Sequence, residues 1–121
     1  MTSSSFRDLR VWQDAMQMTA EIYKATTMFP RHELYGLGQQ LRRAAVSVPS
    51  NIAEGKGHKS DKELVHFLFH ARGSLLEVET QLLIAEELQY LSSGDAIRMQ
   101  AMAEKVGRAL NGLIHSLQRA A

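Results

Sequence analysis

Between residues 61 and 91, apolar side chains recur at intervals of three and four: Leu64, Phe67, Leu68, Ala71, Leu75, Val78, Leu82 and Ala85. At about 100° per residue they gather on one side of an α-helix. An amphipathic helix draws most of its stability from packing its apolar face, so the rest of the chain must supply partners. It is rich in Ala, Leu, Glu, Gln, Met and Arg, all good helix formers. Strand-like alternation and Asn-Gly or Asp-Gly hairpin turns are missing from the sequence.

Four helices are therefore expected, at about 6–27, 32–56, 61–91 and 95–119, in one domain spanning residues 1–121. Pro30 separates the first two, because proline breaks a helix interior. Gly55 and Gly57 close the second, and Ser60-Asp61-Lys62-Glu63 has the form of a capping box for the third. Ser92-Ser93-Gly94-Asp95 divides the third from the fourth. Connections this short favour antiparallel neighbours, so the expected fold is all-α, an antiparallel up-and-down four-helix bundle.

The 121 residues include no cysteine, which rules out disulfides, thiolate metal sites and thiol nucleophiles. The opening residues lack a secretory signal, and no apolar run is long enough to span a membrane. A cytoplasmic protein without a membrane partner is expected. The net charge is +1, so attraction to a polyanion would have to come from a local cluster.

Two helices carry more apolar surface than one groove can cover. Helix three has a second stripe of Val65, Phe69, Leu76 and Leu83, rotated by about 100° from the first. In helix one, Leu9, Trp12, Met16 and Tyr23 form one seam, and Val11, Ala15, Met18, Ile22 and Ala25 form another. Two apolar faces imply two packing partners, and self-association supplies the second. The interface is expected at Val11, Ala15, Met18 and Ile22 of helix one and at Val65, Phe69, Leu76 and Leu83 of helix three. Wide burial inside one bundle is the alternative. Helix four has a single stripe, Met99, Met102, Val106, Leu110, Leu113 and Leu117, and should face mostly outward.

Helix two pairs an apolar stripe of Leu34, Leu37, Leu41, Ala45, Val48 and Ile52 with a polar one of Gln40, Arg43, Ser47, Asn51 and Glu54. The polar row is expected to act as a structural seam, with Arg43, Asn51 and Glu54 at least partly buried and hydrogen-bonded. Pro49, on the opposite side, should kink the helix. At the end of helix two, Lys56, His58, Lys59 and Lys62 stand close together with Asp61 as the one acid. With Arg42 they form a candidate surface for RNA phosphates, which supply affinity without sequence preference. A solvated loop is the plain alternative.

Glu63, His66 and His70 share a face of helix three. Glu63 and His66 match one half of a di-iron bundle motif, which needs two such pairs and further inward-facing carboxylates. The face lies opposite the main apolar stripe, so neither metal nor cofactor is expected. No Ser/His/Asp grouping and no nucleotide-binding glycine pattern is present, and the chain is read as non-enzymatic.

Longer motifs are more specific. The opening runs Phe6-x-x-Leu9-x-Val11-Trp12-x-x-Ala15, followed by Phe29-Pro30-x-x-Glu33-x-Tyr35-Gly36-Leu37. The segment from Gln40 to Gly55 reads Gln-Leu-Arg-Arg-Ala-Ala-Val-Ser-Val-Pro-Ser-Asn-Ile-Ala-Glu-Gly. Helix three adds Phe67-Leu68-x-x-Ala71-x-Gly73-Ser74-Leu75-x-Glu77. From Phe6 to the last helix the sequence resembles the four helix bundle protein family, also called the 23S rRNA-intervening-sequence proteins.

The resemblance implies an up-and-down bundle that commonly assembles as a pentamer. Some relatives are encoded within intervening sequences of bacterial ribosomal RNA genes. Others accompany the reverse transcriptases of diversity-generating retroelements, so nucleic acid and a reverse transcriptase are the partners it suggests. The family has no catalytic residues to carry over. Gly38 stands where relatives often have a polar residue, the Lys56-Gly57-His58 run follows the Asn51–Gly55 segment, and the near-neutral charge departs from the strongly basic retroelement relatives. The expected function is a homo-oligomeric scaffold with modest, sequence-nonspecific RNA binding. The alternatives are a protein-interaction module without nucleic acid and, less favoured, a metal-binding bundle.

Overall fold

The structure, a computed structural model, describes residues 5–120. Its four α-helices are α1 (Arg10–Thr26), α2 (Leu37–Lys56), α3 (Asp61–Glu87) and α4 (Ser93–Ala120). Short 3-10 turns at Phe6–Asp8 and Arg31–Glu33 precede α1 and α2. Successive helices pack side by side and α4 returns to α1, while the diagonal pairs do not meet. This is the expected all-α up-and-down bundle, with α2 and α3 sharing the most extensive seam.

Local chemistry sets the boundaries, and it shortens three of the four expected helices. The first is split: Ser5 caps the 3-10 turn by accepting from the Arg7 N–H at 2.9 Å, and Leu9 is extended before α1 begins. The second starts at Leu37 rather than 32, because the backbone at Gly36 (φ −112°, ψ −117°) interrupts the spiral. Glu33 Oε1 then accepts from the Leu37 N–H at 2.9 Å. The third ends at Glu87 rather than 91. Gln89 has a φ of 63°, and the Tyr90 N–H reaches back to the Ala85 carbonyl at 2.8 Å, as in a left-handed helix cap. At the start of α3, Ser60 Oγ accepts from the Glu63 N–H at 3.1 Å.

The core is a single cluster drawn from all four helices. Met18 and Ile22 of α1, Leu41, Val48 and Ile52 of α2, Leu68, Val78 and Leu82 of α3, and Met99, Val106 and Leu110 of α4 are fully buried. Helix α4 buries one face and leaves the other to solvent, as its single stripe implied. Helix α2 continues through the buried Pro49. Proline has no N–H to give to the carbonyl four residues back. That carbonyl, on Ala45, instead accepts from Thr19 Oγ1 of α1 at 3.1 Å.

The two seams of α1 are reversed from expectation. Val11, Ala15, Met18 and Ile22, expected between subunits, are buried within the chain's own core. Met16 and Tyr23 of the other seam are exposed, and Leu9 and Trp12 are half-buried. Helices α2 and α4 both pack on α1, and the row containing Ala15 is the one they cover.

At one end of the bundle the α1–α2 and α3–α4 connections are fastened together. The Tyr90 hydroxyl donates to Glu33 Oε2 at 3.0 Å, and the Tyr90 ring packs on Phe29 at 5.5 Å between centroids. The opposite end carries the α2–α3 turn and the expected basic cluster.

Candidate nucleic-acid interface and association face

The basic cluster sits where α2 gives way to α3, and glycine brings the two helices close there. A Cβ built at Gly55 would stand 2.7 Å from Phe67 Cβ, nearer than side chains pack. Phe67 is half-buried in this contact, and the His58 ring stacks on it at 5.0 Å with 18° between planes. His58 Nδ1 also lies 3.0 Å from Glu63 Oε2, so its polar edge is occupied. Lys59 and Lys62 are exposed and Lys56 is half-exposed. Among the described residues, no carboxylate lies within ion-pair distance of these three lysines.

Arg42 does not join them. Fourteen residues of α2 separate it from Lys56, about 21 Å at 1.5 Å per residue. Its Nε donates to the buried Thr26 hydroxyl at 2.6 Å and its Nη2 to the Tyr23 carbonyl at 3.1 Å. Its guanidinium lies 4.6 Å from the centre of the Tyr23 ring. Arg42 thus ties α1 to α2, and the candidate phosphate surface contracts to Lys56, Lys59 and Lys62, with His58 held at its edge.

The polar row of α2 divides in the same way. Asn51 is half-buried, and its Nδ2 donates to the Ser47 carbonyl at 2.8 Å and to Ser47 Oγ at 2.9 Å. Ser47 Oγ meets Ser74 Oγ of α3 at 2.8 Å. These residues form the expected seam; Ser74 stood in the helix-three motif, but spacing within one helix does not say which residue of the next it will meet. Gln40, Arg43 and Glu54 are exposed, which corrects the expectation that Arg43 and Glu54 would be buried and paired. Both lie toward the solvent edge of the stripe, where a charge keeps its hydration at no cost.

On α3, the second apolar stripe turns outward. Phe69, Leu76 and Leu83 are 39%, 59% and 58% exposed. They are spaced by seven, so they line up over about 21 Å of helix. Val65, at the head of the row, is half-buried against the core. Arg72 covers part of Phe69 from 4.6 Å and donates to Asn111 Oδ1 of α4 at 3.1 Å. Solvated apolar residues at heptad spacing are what a partner helix covers in a bundle.

These features define an all-helical bundle with a basic turn at one end and an apolar row along one helix. The chain belongs to the family of 23S rRNA-intervening sequence proteins, whose model matches residues 7–112. A crystal structure of a protein of unknown function from the S23 ribosomal protein family of Bacteroides thetaiotaomicron VPI-5482 has the same fold. The TM-score is 0.81 at 16% identity, covering 87% of this chain and 95% of that one. No curated protein matches the sequence. Among the described residues, no helix is long and apolar enough to cross a membrane.

Proposed function

We propose that the chain is a non-enzymatic subunit of a homo-oligomer, a pentamer on the family resemblance, which holds RNA loosely by its phosphates. The observation that carries the scaffold reading is the outward row of Phe69, Leu76 and Leu83 on α3. Burial against a second copy would remove three large apolar side chains from water, each contributing on the order of 1 kcal/mol. The RNA reading is supported by Lys56, Lys59 and Lys62, none of which has a carboxylate within ion-pair distance among the described residues.

One subunit offers few phosphate contacts, so its affinity is weak. A ring repeats the cluster along one polyanion and raises binding by avidity. Binding then depends on assembly, falls steeply with salt and discriminates little between bases. Arg42 and His58 are already engaged within the chain, which favours the alternative of an interaction module without nucleic acid.

Two measurements test the proposal. Leu76→Glu places a charge in the association row, and sedimentation should show assembled parent protein and a folded monomeric variant. A parent protein that sediments as a monomer overturns the scaffold reading. Lys56, Lys59 and Lys62 changed together to Glu should abolish low-salt binding of structured RNA without dispersing the oligomer. If that variant binds RNA as well as the parent, the interaction module is the better account.

A further inference from the structure

His66 and His70 are one turn apart on the solvent side of α3, and their Nε2 atoms approach to 3.2 Å. The rings meet nearly edge to face, with centroids 4.6 Å apart and planes at 80°. Two imidazoles held this way can bind one metal ion. A tetrahedral ion with metal–nitrogen bonds of about 2.0–2.1 Å needs its two donors roughly 3.3 Å apart. The observed separation is close to that distance; the two Nε2 atoms share a hydrogen bond here, and a bound ion would take the place of its proton. Two histidines four residues apart on a helix face are also the zinc-binding element of metalloprotease helices.

The surroundings hold the pair in place. His66 packs edge-on against Phe67 at 5.6 Å, and Phe67 is itself wedged at Gly55 and covered by His58. The depression beside the histidines is lined by His66, Phe69, His70, Gly73, Ser74 and Glu77. Glu77 is the one charged side chain among these lining residues, and the Arg72 guanidinium stands over the Phe69 ring at the margin. Gly73 leaves the floor open, since a Cβ there would meet nothing within 4 Å. Among the described residues, no three His, Cys, Asp or Glu side chains gather at one point. The protein therefore supplies two donors and water completes the coordination.

We propose that His66 and His70 chelate a divalent transition-metal ion of the zinc, nickel and copper class through their Nε2 atoms. Imidazole suits this class, whereas magnesium and calcium prefer oxygen donors. The site does not resemble the di-iron arrangement, which projects into a bundle core. It is external, open to solvent and exchangeable. It rests on neither the RNA reading nor the assembly reading, although Phe69 borders both this depression and the association row.

The test uses the full chain freed of any polyhistidine tag, titrated calorimetrically with zinc or nickel chloride. One ion should bind per chain. His66→Ala and His70→Ala should each weaken binding at least about tenfold, as loss of a ligand costs no less than loss of its support. The double variant should not bind. His32→Ala, at the far end of the bundle, should bind like the parent. Both chelating residues are exposed, and circular dichroism confirms that the variants remain folded. Failure of the parent to bind either ion, or binding unchanged by both single substitutions, overturns the proposal.

Discussion

Thr19 and Ala45 are joined across α1 and α2 by a hydrogen bond that exists because of a third residue. The Thr19 hydroxyl shares its one proton between the Ala15 carbonyl of its own helix at 2.8 Å and the Ala45 carbonyl at 3.1 Å. Pro49 leaves that carbonyl without its helical donor. A proline in the middle of α2 is tolerated because a neighbouring helix supplies the missing proton.

Thr19→Val should therefore destabilise the bundle by about 1 kcal/mol, the low end of the cost of leaving a buried carbonyl unpaired. In a domain of this size that lowers the melting temperature by about 3–5 °C. The same substitution should cost less in a Pro49→Ala background, where residue 49 again has an N–H for Ala45. A double-mutant cycle on thermal melts checks this, and equal costs in the two backgrounds would refute the coupling.

Glycine replacements should split by environment. Gly55→Ala would force α2 and α3 apart at Phe67 and should destabilise by about 1–3 kcal/mol. Gly112→Ala, in an exposed stretch of α4 where a Cβ meets nothing within 4 Å, should stabilise by about 0.5–1 kcal/mol. Urea unfolding of the two variants reads both signs in one experiment.

Two carboxylates should respond to acid in opposite directions. The Leu37 N–H, then the Tyr90 hydroxyl, hold Glu33 below the ordinary carboxylate range. A depressed folded pKa contributes stability above the unfolded value, and that contribution is lost as pH falls through the folded value. Burial, then the nearby Glu104 charge, push Glu79 upward. Its ionised form is penalised at neutral pH, and the penalty lifts as pH falls through the raised value. Glu33→Gln should thus melt earlier than the parent at neutral pH, and Glu79→Gln later. Both differences should shrink below the ordinary carboxylate range, as melts recorded across that range will show.

Fold class and helix count were legible because the buried rows of α2, α3 and α4 carry one dominant period each. Helix ends were less so. The Gly36 break and the Gln89 reversal depend on single backbone angles that periodicity does not carry. The role of α1's two rows could not be read, because both have helical spacing and the choice lies in how α2 and α4 close over Ala15. At the candidate sites, charge type was visible and company was not. Arg42 looked like Lys59 in sequence, yet Thr26 and Tyr23 take its donors. His66 and His70 were set aside because one di-iron half-motif is no di-iron site, although two rings suffice for a simpler chelate.

The row of Phe69, Leu76 and Leu83 is not parallel to the axis of α3. Each step of seven residues falls about 20° short of two full turns, so the row slants around the helix by about 40° from first to last. A helix laid across it at a shallow left-handed angle of about 20° touches all three side chains. A perpendicular helix touches one. The spacing of three side chains thus sets the hand of any assembly built on this face, and charges at its margins can choose a partner but cannot reverse the twist.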